Sequence, residues 1–144
     1  MPAGRIMLGT LWRRYGGSIV LVLALALALP GCGGDDSDLT GTWTGIVQDN
    51  LAGTGTILFT FTQTDSRLGG TWQLTFADPR NNNGGTLSGT VSDPSITMVL
   101  SPSQPQACSF TVAAERDDED HFTGTYAAFN CASSQSGSLD VNRQ

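Results

Sequence analysis

The sequence predicts an all-β domain, an eight-stranded antiparallel up-and-down β-barrel. Three observations predict it. Apolar residues alternate with Thr or Ser through most of residues 42–143. Clusters of Gly, Pro, Asn and Asp interrupt that alternation at short intervals, and no window after residue 32 carries a helical period. Short links between successive runs make sequential strands antiparallel neighbours. Closing the meander removes its exposed edges. A two-sheet β-sandwich is the competing architecture.

The expected strands span 42–48, 56–64, 70–77, 85–92, 95–101, 107–115, 121–129 and 135–143. Their inward rows are Trp43, Val47; Ile57, Phe59, Phe61; Trp72, Leu74, Phe76; Leu87, Val91; Ile96, Met98, Leu100; Phe110, Val112; and Leu139, Val141. The intervening positions are mostly hydroxyl residues, such as Thr42, Thr44, Thr60, Thr62, Thr71, Thr75, Thr86, Ser88 and Thr90. β-Branched Thr suits a strand and accepts water on its exposed side. A transmembrane barrel presents its apolar residues to lipid, the opposite arrangement. Seventeen inward apolar side chains, several of them aromatic, favour a barrel filled by its own residues, or at most a shallow mouth.

Residues 78–84 form a loop, Asp93-Pro94 a tight turn and residues 101–105 a Pro-rich loop. The fragment Gly-Thr-large recurs at Gly41-Thr42-Trp43, Gly70-Thr71-Trp72, Gly85-Thr86-Leu87, Gly89-Thr90-Val91 and Gly124-Thr125-Tyr126. It reads as structural punctuation, a strand start or a kink where the wall bends.

Ahead of the domain, Arg5, Arg13 and Arg14 precede an apolar run at residues 19–29. Eleven residues are too few for a bilayer-spanning helix, which needs about 20. A basic front, a short apolar middle and a small-residue exit describe a secretory signal helix over residues 1–31. Arg13-Arg14 fits a twin-arginine signal poorly, given Trp12 and Tyr15 beside it. The exit, Leu29-Pro30-Gly31-Cys32, resembles the bacterial lipobox. That resemblance implies that Cys32 is the lipidated first residue of the mature chain, carrying palmitate-type acyl chains in a cell-envelope membrane. The mature domain would then face the periplasm or the cell exterior. A plain signal peptide with Cys32 as a stray thiol is the alternative. Residues 32–40, which include Gly33-Gly34-Asp35-Asp36-Ser37-Asp38, read as a flexible acidic tether, and residues 41–144 as the barrel domain.

Charge and composition exclude several functions. The 144-residue chain has a formal charge of −6, seven arginines and no lysine. Cleavage before Cys32 leaves four arginines against thirteen acids, a net −9. Nucleic-acid binding needs a basic face, and attraction to anionic lipid needs basic residues; neither is present. The lipid would therefore be the only membrane attachment. The single histidine, His121, sits beside Asp120 in an expected hairpin tip and reads as a solvated turn residue. No Gly-x-Ser-x-Gly or Ser–His arrangement is present, so neither an enzyme nor a cofactor is expected. The run Glu115-Arg116-Asp117-Asp118-Glu119-Asp120-His121 has carboxylates that suit Ca²⁺, yet its spacing matches no Ca²⁺ loop, so no metal is expected.

Cys108 and Cys131 remain after Cys32 is set aside. An exported domain lies in an oxidising space, where two such cysteines pair. A hairpin turning at Glu119-Asp120 sets Cys108 opposite Cys131, Phe110 opposite Phe129 and Val112 opposite Ala127. Two free buried thiols are the alternative.

The opening Asp38-Leu39-Thr40-Gly41-Thr42-Trp43 resembles the first strand of the calycins, the lipocalins and avidins, which begin their barrels with Gly-x-Trp. The resemblance implies a basic residue of the last strand packed across that Trp, and Arg143 is placed to do it. Gly41, Trp43 and Arg143 are thus the expected barrel signature. Small periplasmic protease inhibitors share the outline. The resemblance implies one of two roles: a barrel holding a small apolar ligand, or a protein-interaction or structural lipoprotein. In the second, the loops at 81–85 and 102–105 would meet the partner.

Overall fold

The computed structural model describes residues 38–144; the signal, Cys32 and the tether up to Ser37 lie outside the described residues. Eight strands follow in order: β1 Gly41–Asp49, β2 Gly53–Thr64, β3 Arg67–Phe76, β4 Asn83–Ser92, β5 Ser95–Pro102, β6 Ser109–Asp118, β7 His121–Phe129 and β8 Ser136–Arg143. Each pairs antiparallel with the next, and β8 pairs with β1, so the barrel is closed. The up-and-down barrel holds, and the sandwich does not.

The alternation of the sequence becomes the wall. All seventeen expected inward side chains are buried. Five more apolar residues join them: Leu39, Leu68, Ala114, Phe122 and Tyr126. At the end that receives residues 38–40, Trp43, Phe59, Phe61 and Phe122 pack with ring centroids 5.0–6.3 Å apart. At the other end, Phe110 meets Trp72 and Tyr126 edge-on at 5.8 and 5.6 Å. Such edge-to-face pairs satisfy the ring quadrupoles while filling volume.

Glycines make this filling compatible with tight closure. Seven glycines at inward positions within the strands each face a larger residue on the adjacent strand. The pairs are Gly45–Val141, Gly55–Phe76, Gly70–Phe61, Gly85–Trp72, Gly89–Met98, Gly124–Leu139 and Gly137–Tyr126. A Cβ on Gly124 would stand 2.6 Å from both Ala113 O and Ala114 Cβ. One on Gly137 would stand 2.8 Å from the Tyr126 hydroxyl. Gly70 adds a backbone reason: its φ of +143° disfavours any side chain. The recurrent Gly-Thr-large fragment is therefore a kink at Gly70, Gly85, Gly89 and Gly124, where the neighbouring strand crosses too closely for a Cβ.

The expected strand bounds differ from the observed ones at β2 and β3, which each begin three residues earlier than expected, and at β6. Ala107 and Cys108 lie before that strand, which instead runs on to Asp118. The expected register of the β6–β7 hairpin is off by one through most of its length. Phe110 faces Ala128, Val112 faces Tyr126, and Ser109 faces Phe129. A bulge between Arg116 and Asp118 inserts one residue, so only Asp118–His121, next to the turn, keeps the expected pairing. The Cys108–Cys131 disulfide forms nonetheless, with Cα atoms 5.1 Å apart. It lies beyond both strand ends, after Asn130 has turned the chain with φ +57°. Closing a loop of this length contributes about 3 kcal/mol in the chain-entropy view.

Gly124→Ala should destabilise the domain by about 1–3 kcal/mol through overpacking against Ala113 and Ala114. Gly69→Ala, where a Cβ meets nothing within 4 Å, should leave urea unfolding nearly unchanged. Equal losses at the two positions would contradict the kink assignment.

Candidate functional site

The two ends of the barrel are built differently. At the first, residues 38–40 cross the barrel floor. Leu39 is fully buried there. Its amide donates to Gln63 Oε1 at 2.9 Å, and its carbonyl accepts from Trp43 Nε1 at 2.8 Å. The Gln63 amide in turn donates to Thr40 Oγ1 at 3.0 Å.

Arg143 holds this arrangement together. Trp43 and Arg143 are cross-strand partners on the closing pair of strands. The guanidinium carbon stands 4.5 Å from the Trp43 ring centroid, the cation–π contact that the sequence led us to expect. Its Nη1 donates to Thr40 O at 2.9 Å, its Nη2 to Asp38 O at 2.6 Å, and its Nε pairs with Asp120 Oδ1 at 2.9 Å. One planar side chain thus joins β1, β8, the incoming chain and the β6–β7 turn, which suits Arg and not Lys. The Arg116 side chain is largely buried at the same end, 3.4 Å from Asp93 Oδ1 and behind the cis Asp93–Pro94 turn. Asp38, whose carboxylate accepts from the Thr40 amide, is held below the usual carboxylate range by that bond.

His121 is not the solvated turn residue expected. It begins β7 with its ring between two carboxylates, Nδ1 at 3.2 Å from Asp117 Oδ2 and Nε2 at 2.9 Å from Asp140 Oδ1. The bulge after Arg116 brings Asp117 to it, and Thr123 Oγ1 holds Asp117 at 3.1 Å. The hydrogen bond with Asp140, followed by the field of Asp140, Asp117 and Asp118, raises its pKa above the ordinary imidazole value. Only the imidazolium can donate from both nitrogens. The acidic run around it gathers no metal-binding set: among the described residues, no group of three or more His, Cys, Asp or Glu side chains converges on one point.

At the second end lie the disulfide and the longer loops. The two loops singled out from sequence meet there. Gly85 pairs with Pro102, and Ser103 N donates to Gly84 O at 2.8 Å. Trp72 Nε1, beneath them, donates to Thr86 O at 3.1 Å and Ser101 O at 3.3 Å. Beside them is a cleft of about 440 Å³ whose lining includes Leu58, Gln73, Asn82, Asn83, Ser103 and Gln104, with no charged side chain. Asn82 Oδ1 accepts from Phe76 N, and Asn83 Nδ2 donates to Cys108 O, so these amides also fix the loops.

Asp49, which the sequence did not single out, is buried here. It accepts from Leu51 N and Ala52 N at 2.9 and 2.8 Å and from the Tyr126 hydroxyl. Burial, reinforced by the bond with Asp49, pushes the Tyr126 phenol well above its usual range. The period-2 alternation that places Val47 inward also places Asp49 inward; that was the available signal.

No family model matches this sequence, and no curated protein matches it. Similarity to solved structures is to β-barrels. One is EF1p2_mFAP2b bound to DFHBI, with 17% identity, TM-score 0.65, and 74% of this chain and 94% of that chain covered. A second is the redesigned β-barrel mFAP1 bound to DFHBI, with 18% identity, TM-score 0.61 and the same coverage. A third is a de novo designed fluorescence-activating β-barrel, with 16% identity, TM-score 0.55, and 73% of this chain and 93% of that chain covered. The shared feature is the barrel fold.

Arg143→Ala should cost about 1–2 kcal/mol in urea unfolding, since it removes the donors to the Thr40 and Asp38 carbonyls as well as the ring contact. Arg143→Lys should recover only part of that. Full recovery by Lys would mean that charge alone matters.

The His121 shift fixes the sign of a pH effect. Its folded pKa is raised, so its contribution is complete below the unfolded value of about 6.5 and is lost as pH rises through the folded value. Tm should therefore decline across that interval, and His121→Gln should flatten the decline. An identical slope in the variant would remove His121 as its origin.

Proposed function

We propose that this chain is a lipid-anchored lipoprotein of the bacterial cell envelope, whose calycin-like barrel is a rigid, non-catalytic scaffold for a protein partner. The observation that carries this reading is the occupied interior: the inward rows are filled by buried side chains, and each inward glycine is faced by a larger neighbour. A filled barrel offers a partner its outside. The paired loops at the disulfide end, built on fixed strands, are the surface for that partner. The non-catalytic part of this reading rests on the sequence, which has no lysine, a single histidine and no Gly-x-Ser-x-Gly or Ser–His arrangement. The anchor rests on the Leu29-Pro30-Gly31-Cys32 resemblance and the acidic tether that follows it.

A second reading, a barrel that holds a small apolar molecule, draws on the barrels of the same fold that are bound to DFHBI. The two readings separate experimentally. As a scaffold, the protein purified from its own host should show its bare mass in native mass spectrometry, and titration with DFHBI should produce no rise in fluorescence. A small molecule that co-purifies consistently would transfer the function to the barrel interior. Metabolic labelling with an alkyne palmitate should mark the full-length chain, and Cys32→Ala should abolish the label. Persistent labelling of that variant would sink the anchor at Cys32.

A further inference from the structure

The interior is filled, but the outer wall is not smooth. Among the described residues, two hollows lie side by side on it, lined mostly by the exposed positions of each strand. One, of about 990 Å³, has Glu115 and Asp140 in its lining and no basic side chain. The other, of about 790 Å³, crosses β3 to β7, and Arg67 is the charged side chain in its lining. Thr97, Ala113 and Thr125 border both. Each volume is that of a small-molecule site.

The second hollow is more apolar than its threonines imply. Arg67, Thr90, Thr97 and Ala113 form one outward row across the strands. Val99, Thr111 and Ala127 form part of the next row. The Thr90 and Thr97 hydroxyls bond to each other at 3.0 Å, and Thr111 Oγ1 donates to Ala127 O at 3.4 Å, so these hydroxyls are engaged within the protein. Val99, Ala113 and Ala127 lie exposed beside them. Arg67 stands apart from the other arginines of residues 38–144. Arg80 pairs with Asp78, Arg116 with Asp93 and Arg143 with Asp120. Among the described residues, Arg67 pairs with no carboxylate, although acids far outnumber arginines in this domain. Its cross-strand partners are Thr64 and Thr90. A guanidinium with its donors unclaimed by protein carboxylates, at the side of an apolar hollow, complements a molecule with an anionic head and an apolar body.

We propose that this hollow is a binding site for a small single-chain amphiphilic anion, with its carboxylate on Arg67 and its apolar body laid over Val99 and Ala113. Arg67 on β3 and Ala113 on β6 are three inter-strand steps apart, roughly 14 Å, which a medium-length alkyl chain spans. The site is on the outside of the barrel. It rests neither on the anchor nor on the partner proposed above, and it differs from a ligand held in the interior. The ion pair is open to water, so salt weakens it and the ligand exchanges rapidly. Such a ligand leaves during purification. The neighbouring hollow, with Glu115 and Asp140, has the opposite charge and repels the same molecule.

Decanoate is the probe, titrated below its micellar concentration into the isotopically labelled mature chain carrying Cys32→Ala. Backbone amide shifts report where it binds. Shifts should concentrate at residues 88–90, 97–99 and 111–113, saturate in the millimolar range and weaken as salt is raised. Arg67→Gln should lower the affinity several-fold. Ala113→Glu, which sets a like charge at an exposed position inside the hollow, should nearly abolish binding. Thr75→Glu, exposed on the wall outside both hollows, should change nothing. Decylammonium, the same chain with a cationic head, should leave these amides unshifted. Phosphatidylglycerol vesicles present an anion and acyl chains as a surface, and the acidic domain should not respond to them. Binding unchanged in both Arg67→Gln and Ala113→Glu would place the ligand elsewhere, the interior included, and overturn the site. No shift with decanoate would overturn it as well. An equal response to decylammonium would remove Arg67 as the determinant, and a response to vesicles alone would replace the free ligand by a membrane.

Discussion

The structure depends on closing the barrel between its first and last strands. This pairing joins residues about a hundred positions apart and must be specified against simple fraying. Arg143 specifies it. Its guanidinium lies over Trp43, satisfies carbonyls of the incoming chain and reaches the β6–β7 turn. The ends of β1 and β8 are thereby fixed by the group that seals the floor. Without that junction, β1 and β8 would both be exposed edges.

Closure then sets the terms for packing. A small eight-stranded barrel is narrow, and a large side chain at every inward position would overfill it. The chain alternates instead. Phe, Trp, Tyr, Met and Leu lie across from Gly, and each ring or branch occupies the space that the glycine leaves. The glycines in turn let adjacent strands bend sharply past each other. Outside, the same strands expose Thr and Ser, whose β-branching or hydroxyl suits an exposed wall without requiring charge.

Much of this was legible in the residues. The Thr/apolar alternation marked the strands and an inward row in which every assigned side chain is buried, because a closed sheet has one inside and period 2 selects it. Arg143 lies across Trp43. The β6–β7 register was not legible. Only the bulge beside Asp117 reveals the one-residue slip, and nothing in the acidic run marks which residue is extra. For the same reason His121 read as a turn residue: its partners are Asp117, delivered by the bulge, and Asp140, delivered by barrel closure. Leu39 was assigned to the tether because it precedes the first strand, yet the floor of a closed barrel needs a plug, and Leu39 is the nearest apolar side chain. The paired loops at the disulfide end were recognised individually; their juxtaposition follows from the topology.

A filled interior is what separates a scaffold from a container, and it has a direct volumetric signature. Pressure favours the unfolded state in proportion to the internal void that unfolding eliminates. Pressure-dependent unfolding of residues 38–144, followed by tryptophan fluorescence, measures that volume change. A filled barrel gives a small value, near the low end of the usual range at about −20 mL/mol. A value toward about −100 mL/mol would reveal substantial internal void and contradict the filled interior.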